Sequence, residues 1–251
     1  MHVLIVHCHP EPISFNSSLT QMCADVFRSR GDSVDISDLY GQGFDPVEKA
    51  DHYSDRNNAE QFSALSEQRH AYKSGNLPED VKREIARLEK ADLVILQFPI
   101  WWHSIPAMLK GWMDRVFISG GLYSSKMRYD RGYFRGKKVV CSTTTGAPAV
   151  SFEPGGRGGE IQQILWSAHY SLYYMGFDVL NPHVAHGVQG HGFSYASDKQ
   201  FAKQMKQMKQ MKQIQYDWVA RLESIVLEDP LRFPGWDDWD EMGRLKSTTP
   251  G

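Results

Sequence analysis

Cysteine is scarce in this chain. Cys8, Cys23 and Cys141 are the only three in 251 residues, with no CxxC pair among them. Such an odd, sparse set excludes a disulfide framework and reads as the reduced thiols of a cytoplasmic protein. An excess of one charge is also missing: 28 basic and 30 acidic residues leave a formal net charge of -2. That balance argues against nucleic acid or an anionic membrane as the partner. No apolar run approaches the roughly 20 residues that a membrane-spanning helix needs. The opening MHVLIVHCHPEP has neither a basic leader nor a small-residue cleavage site, so no secretory signal is expected. Several short chemical signatures are absent as well. There is no GxGxxG, no GxxxxGK[ST] and no GxSxG, which removes the dinucleotide fingerprint, the P-loop and the serine-hydrolase elbow. His183, His186 and His191 fall in a stretch that reads as loop, with no carboxylate or cysteine at customary ligand spacing, and no metal is expected there.

What the chain does have is short, wholly apolar runs: VLIV (3–6), LVILQF (93–98) and KVVCS (138–142). Strands covered on both faces belong to a parallel sheet flanked by helices. SVDISDLY (33–40) alternates and adds a strand, and VLNP (179–182) adds a last one. Helical stripes lie between them, at 17–30, 78–91, 105–117 and 161–177. The segment 41–77 shows no strong periodicity and is expected to wrap over the surface. QMKQMKQMKQ (204–213) is read as part of a surface helix continuing to Leu227. Strand and helix alternate repeatedly, which predicts an open, doubly wound α/β sheet with helices on both faces. One domain is expected over 1–228. The aromatic, Pro/Gly-punctuated tail 229–251 is expected to pack on that domain or on a partner subunit.

In such a sheet, ligands bind beyond the carboxyl ends of the strands. Three loops should converge there: HCHPEPISFNSS after the first strand, PIWWHS after the strand at 93–98, and TTTGAPAVSFEPGGRGGE after the strand at 138–142. The first places Ser14, Asn16, Ser17 and Ser18 before a helix, where backbone N–H groups favour a phosphate, although plain helix capping explains the same residues. The third brings Thr143, Thr144, Thr145 and Gly146 to a strand end. The second supplies Trp101 and Trp102, bulky aromatics where a polar turn would be ordinary. Two flat apolar walls beside hydroxyls and a close-approach glycine suit a large planar ligand with a polar edge, such as a flavin ring.

These motifs resemble the flavodoxin-fold NAD(P)H:quinone oxidoreductases, the DT-diaphorase family. The resemblance runs through LIVHCHPEPISFN, SDLY, AYKSGNL, ADLVILQFPIWWHSIPAMLKGWMDRVF, YDRGYFRGKK, STTTG and ILW, in the same order. It implies a homodimer with FAD at the crevice (FMN is the second choice) and NAD(P)H as electron donor. It implies a ping-pong hydride transfer to quinones or similar flat aromatic acceptors. By resemblance, His9, Ser14, Phe15 and Asn16 contact the phosphates and adjoining groups of the cofactor. Pro99, Ile100, Trp101 and Trp102 line the ring. Thr144, Thr145, Gly146, Ala147 and Phe152 complete its binding. Trp102, His103, Tyr123 and Tyr174 wall the substrate opening, Tyr123 across the dimer.

The chain departs from the family in the active loop. A family tyrosine and histidine are replaced by Phe152 and Gly158, a second loop glycine by Ala147, and an opening tyrosine by Ser125. Phe152 and Gly158 have no side-chain donor. Arg157, set among four glycines in GGRGG (155–159), or the exposed N–H groups of that stretch, is the expected replacement at developing negative charge. Two alternatives stay open at this point: an azo- or nitroreductase on the same fold, and a non-catalytic flavin-binding regulatory subunit of the potassium-efflux ancillary type.

Overall fold

Runs with no polar face become the inner strands. The computed structural model describes residues 1–188 and 198–246, so His191 lies outside the described residues. Strand β1 (His2–His7) and strand β3 (Leu93–Pro99) are buried at every residue, and β4 (Lys138–Thr144) at all but its first. Strand β2 (Ser33–Asp38) is the half-buried edge. The sheet order is β2-β1-β3-β4-β5, all parallel, with β5 reduced to Asp178–Val179. A further strand, β6 (His183–Ala185), pairs with the end of β4. The stretch read as loop around His183 is therefore partly strand. It is too short for its periodicity to show.

Two layers cover the sheet. On one face, α1 (Phe15–Ser29) sends Leu19, Cys23 and Phe27 against Val3, Ile5, Leu93 and Ile95. Ser14 caps this helix by accepting from the N–H of Ser17 at 3.1 Å. Helix α6 (Asp198–Ser224) joins that layer through Trp218 and Leu222. Trp218 donates to Cys23 Sγ at 2.9 Å and stacks on His183, with ring centroids 4.2 Å apart. The opposite face carries α2 (Ala64–Ser74), α3 (Glu79–Lys90), α4 (Ala107–Val116) and α5 (Ile161–Tyr174).

Helix α2 corrects the expectation of irregular chain over 41–77. Glu67, Gln68 and Ala71 are its buried residues, and a stripe made mostly of polar groups carries no hydrophobic period. Gln68 donates to Glu48 and to the Asp114 carbonyl, and it accepts from the N–H of Ser119. Glu84 of α3 is wholly buried and likewise polar. It takes hydrogen bonds from Ser37, Trp112 and Arg87 at 2.6, 3.0 and 2.6 Å, tying β2, α3 and α4 together.

Residues 229–246 lie against α5 and the turn at 128–131. Leu231 N donates to the Val179 carbonyl at 2.7 Å, Tyr173 Oη donates to the Pro234 carbonyl at 2.7 Å, and Phe233 stacks on Tyr173 at 4.6 Å. Arg131 grips Asp237 with two bonds of 2.7 and 2.8 Å.

Candidate active site

The strand order reverses between β1 and β3, and the chain leaves the two strands toward opposite faces of the sheet. That divergence opens the crevice at their carboxyl ends. Asn16, on the first turn of α1, is the knot of the crevice floor. Its Nδ2 donates to Thr144 Oγ1 at 3.0 Å, and its Oδ1 accepts from Gln97 Nε2 at 2.9 Å. Ile100 N donates to the Thr144 carbonyl at 2.9 Å. The loops after β1, β3 and β4 are thus held to one another by hydrogen bonds, and His9 faces Trp101 with ring centroids 6.1 Å apart.

The tryptophans stand on a tight turn. Trp101 and Ser104 exchange two backbone hydrogen bonds of 3.1 Å, and between them Trp102 and His103 have φ of 51° and 56°. Left-handed backbone costs a non-glycine residue about 1–2 kcal/mol, and such strain concentrates at functional sites. The turn projects its side chains outward: Trp102 is 97 % exposed and Trp101 41 %. Pro99 is buried at the strand end and Ile100 half-buried beneath the turn.

Two concavities open beside this turn, between α4 and α5. One, of about 480 Å³, is lined by Trp101, Trp102, Ile105, Pro106 and Ala168 among others. The second, of about 510 Å³, is lined by Phe117, Tyr123, Tyr170 and Tyr174 among others. They share Lys110, Met113 and Ser171. Tyr123 meets Tyr174 edge to face at 5.5 Å. Burial and a neighbouring tyrosine push the Tyr123 phenol above its ordinary pKa against the hydrogen bond from Ser119, so it is a neutral hydrogen-bonding group at physiological pH. Thr144, Thr145, Gly146, Ala147 and Phe152 line neither concavity; they lie at the β4 end of the crevice.

The crevice fits a planar group with a polar edge and phosphates. Among the described residues, the backbone N–H groups of Phe15 and Asn16, of Trp102 and His103, and of Gly146 and Ala147 have no acceptor within the chain. The first pair lies at the start of α1, where the helix dipole favours an anion. The other two pairs lie in the loops after β3 and β4. Below them, Gln97 Oε1, Ser142 Oγ and Thr143 Oγ1 are buried polar atoms without partners.

Beside the third loop lies a residue that motif reasoning did not assign to the crevice. His186, just past β6, lies with its Nδ1 2.9 Å from Thr145 Oγ1, and Phe152 stacks on its ring at 5.4 Å. Burial lowers its pKa. Only β6, invisible in the sequence, brings it there. Gly158 has a physical reason to lack a side chain, since a Cβ would sit 2.8 Å from the Ser151 carbonyl and 3.0 Å from the Phe152 ring. Arg157 is exposed and makes no hydrogen bond or ion pair among the described residues. All three cysteines are free and buried, with thiols pushed up to about 12 by burial, so none is a nucleophile. Among the described residues no cluster of His, Cys, Asp and Glu could hold a metal ion, and no helix is long and apolar enough to cross a membrane.

Comparison with known proteins agrees with this geometry. A sequence model of the flavodoxin-like fold family matches residues 1–211. The ribosyldihydronicotinamide dehydrogenase [quinone] of Mus musculus is 36% identical over 237 residues, 93% of this chain and 96% of the relative. The NAD(P)H dehydrogenase [quinone] 1 of Cavia porcellus is 35% identical over 232 residues, 92% of this chain and 79% of the relative. A candidate quinone reductase from Klebsiella pneumoniae, solved by crystallography, superposes with a TM-score of 0.81 at 30% identity, covering 98% of this chain and 94% of its own. The strand order, the crevice at its reversal and these relatives agree: the chain belongs to the flavodoxin-like fold family, alongside the quinone dehydrogenases.

Proposed function

We propose that this protein is a flavin-dependent oxidoreductase that carries electrons from NAD(P)H to quinones or similar flat aromatic acceptors, with FAD as the cofactor, and that it works as a cytoplasmic homodimer. The observation that carries the reading is the set of three unspent backbone N–H pairs, from the start of α1 and from the loops after β3 and β4, around a floor locked by Asn16. The identity to quinone dehydrogenases supports the same chemistry.

In this reading His9, Ser14, Phe15 and Asn16 hold the phosphates and adjoining groups at the start of α1. Pro99, Ile100, Trp101 and Trp102 give the ring its apolar wall. Thr144, Thr145, Gly146 and Ala147 meet its polar edge, and Phe152 closes that side. The flavin, when bound, supplies the hydride-accepting and hydride-donating chemistry. The protein binds, orients and excludes water. Trp102 on the first concavity, Tyr123 and Tyr174 on the second, and His103 on the turn between Trp101 and Ser104 are assigned to the opening that donor and acceptor use in turn, which makes the kinetics ping-pong: NAD(P)⁺ leaves before the quinone enters. Tyr123 offers a neutral phenol to the acceptor oxygens. Arg157, exposed on the turn beside Phe152, offers a cation to the charge that builds at the crevice. The outward tryptophans, together with Trp166 at 54 % exposure on α5, provide the apolar surface for a second subunit.

The purified protein should show a flavin spectrum, release FAD on denaturation, bleach anaerobically with NADPH and recover with benzoquinone. Release of FMN would correct the cofactor; a flavin that NADPH cannot reduce would overturn the enzymatic reading. Arg157→Ala should slow reduction or reoxidation at unchanged flavin content, and unaltered rates would remove Arg157 from the mechanism.

A further inference from the structure

Among the described residues, Arg128 is a cation without a carboxylate. Its guanidinium lies 5.0 Å from the Trp236 ring, 5.7 Å from the Tyr129 ring and 5.7 Å from the Tyr174 ring. Nη1 donates to the Tyr174 hydroxyl at 3.3 Å, and Nε is buried with no partner. The other guanidinium nitrogen, Nη2, has no bond among the described residues, and it is not among the sealed polar atoms, so it faces solvent. The carboxylates close by in sequence or across the tail are already engaged. Asp130 accepts from Trp236 N at 2.8 Å, and Asp237 is bound by Arg131. Lys110, the cation on the wall of the two concavities, is paired with Asp114 at 2.5 Å. Arg128 therefore keeps its full charge and most of its five donors unspent, next to a tyrosine that lines the larger concavity.

The surroundings also fix it. Tyr129 holds a left-handed backbone, φ 59°, and packs against Tyr170, Tyr173, Tyr174, Trp236 and Trp239. Three rings on a guanidinium cost it rotamer freedom before any ligand arrives, and a planar fork held in place is suited to a carboxylate or sulfonate. Stabilising the tail alone would not call for an arginine with an open edge, since an apolar side chain would pack against the same rings.

We propose that Arg128 determines specificity, selecting flat aromatic acceptors that carry an anionic substituent and receiving that group at the rim beside Tyr174. The proposal rests on the reading of the Tyr123–Tyr174 concavity as the acceptor opening. Trp236 acts through Arg128 as a positioning residue, which gives the C-terminal tail a part in substrate choice.

The test titrates the flavin-loaded full chain calorimetrically with two redox-inert probes, 2-naphthoate and 2-naphthamide, which differ only in charge and its hydrogen bonding. The carboxylate should bind at least about tenfold more tightly, and the margin should shrink at high ionic strength. Arg128→Gln should abolish the margin by weakening the naphthoate alone. Trp236→Ala should reduce the margin with the arginine still present. If Arg128→Gln does not fold, Arg128→Lys, which keeps the charge and loses the fork, should show a smaller margin. Equal binding of the two probes to the unaltered protein would overturn the proposal. So would an Arg128→Gln variant that loses only a preference for NADPH over NADH, because the anion would then belong to the donor. Failure of the unaltered protein to reduce benzoquinone would instead sink the enzymatic reading, and the probe titrations would still decide what Arg128 binds.

Discussion

At the scale of single residues, the candidate site stores strain where it presents its walls. Trp102 holds a left-handed backbone and, at 97 % exposure, buries almost nothing in return. Trp102→Gly should therefore leave stability unchanged or raise it by up to about 1 kcal/mol, while quinone reduction and flavin retention fall. Urea denaturation checks the first and flavin content the second; a clear loss of stability would mean that the indole packs within its own chain. Asn16 is the opposite case. It is buried and serves two partners from different strands. Asn16→Ala should cost about 1–3 kcal/mol, because it leaves Gln97 Nε2 without its acceptor in the interior, and flavin content should drop with it. The tryptophans were legible as candidate site residues because they break the rule that turns are polar. The bond from Asn16 to Thr144 was not legible, since nothing in sequence spacing marks two residues 128 apart as partners.

At the scale of elements, the strands were readable wherever burial is complete, because a strand covered on both faces leaves a continuous apolar run. Helix α2 escaped because it buries Glu67 and Gln68, and β6 because three residues carry no period. With β6 went His186, which reaches Thr145 only because that strand pairs with β4. Helix α4 offers a test in which two rules give opposite signs. Propensity alone says that Gly111→Ala should stabilise an α-helix by about 1 kcal/mol. The packing says otherwise, since a Cβ at Gly111 would overlap the carbonyl oxygen of Pro46 and its side chain. Overpacking against backbone costs about 1–3 kcal/mol or more, so the net effect should be a lower denaturation midpoint. A higher midpoint would show that the segment around Pro46 yields freely.

For the molecule as a whole, buried histidines set the response to acid. Burial lowers the pKa of His7, and it lowers His169 and His183 to about 4. Their unfolded values lie near 6.5, so below that pH the unfolded chain binds protons that the folded one refuses. Stability should be fully present above about pH 6.5 and should decline from there toward pH 4, by at most about 1.4 kcal/mol per pH unit for each histidine. Denaturant midpoints across that range test this; a flat profile would mean that these imidazoles gain water or partners when protonated. The charge balance carries no such warning, because it takes every histidine as neutral. The exposed turn has its own thermodynamic consequence. Trp101 and Trp102 leave apolar surface exposed to solvent, and whatever covers them, cofactor or second subunit, removes that surface from water. Association should then carry a negative heat-capacity change, with an enthalpy that grows more exothermic on warming, and replacing either indole with alanine should flatten that slope.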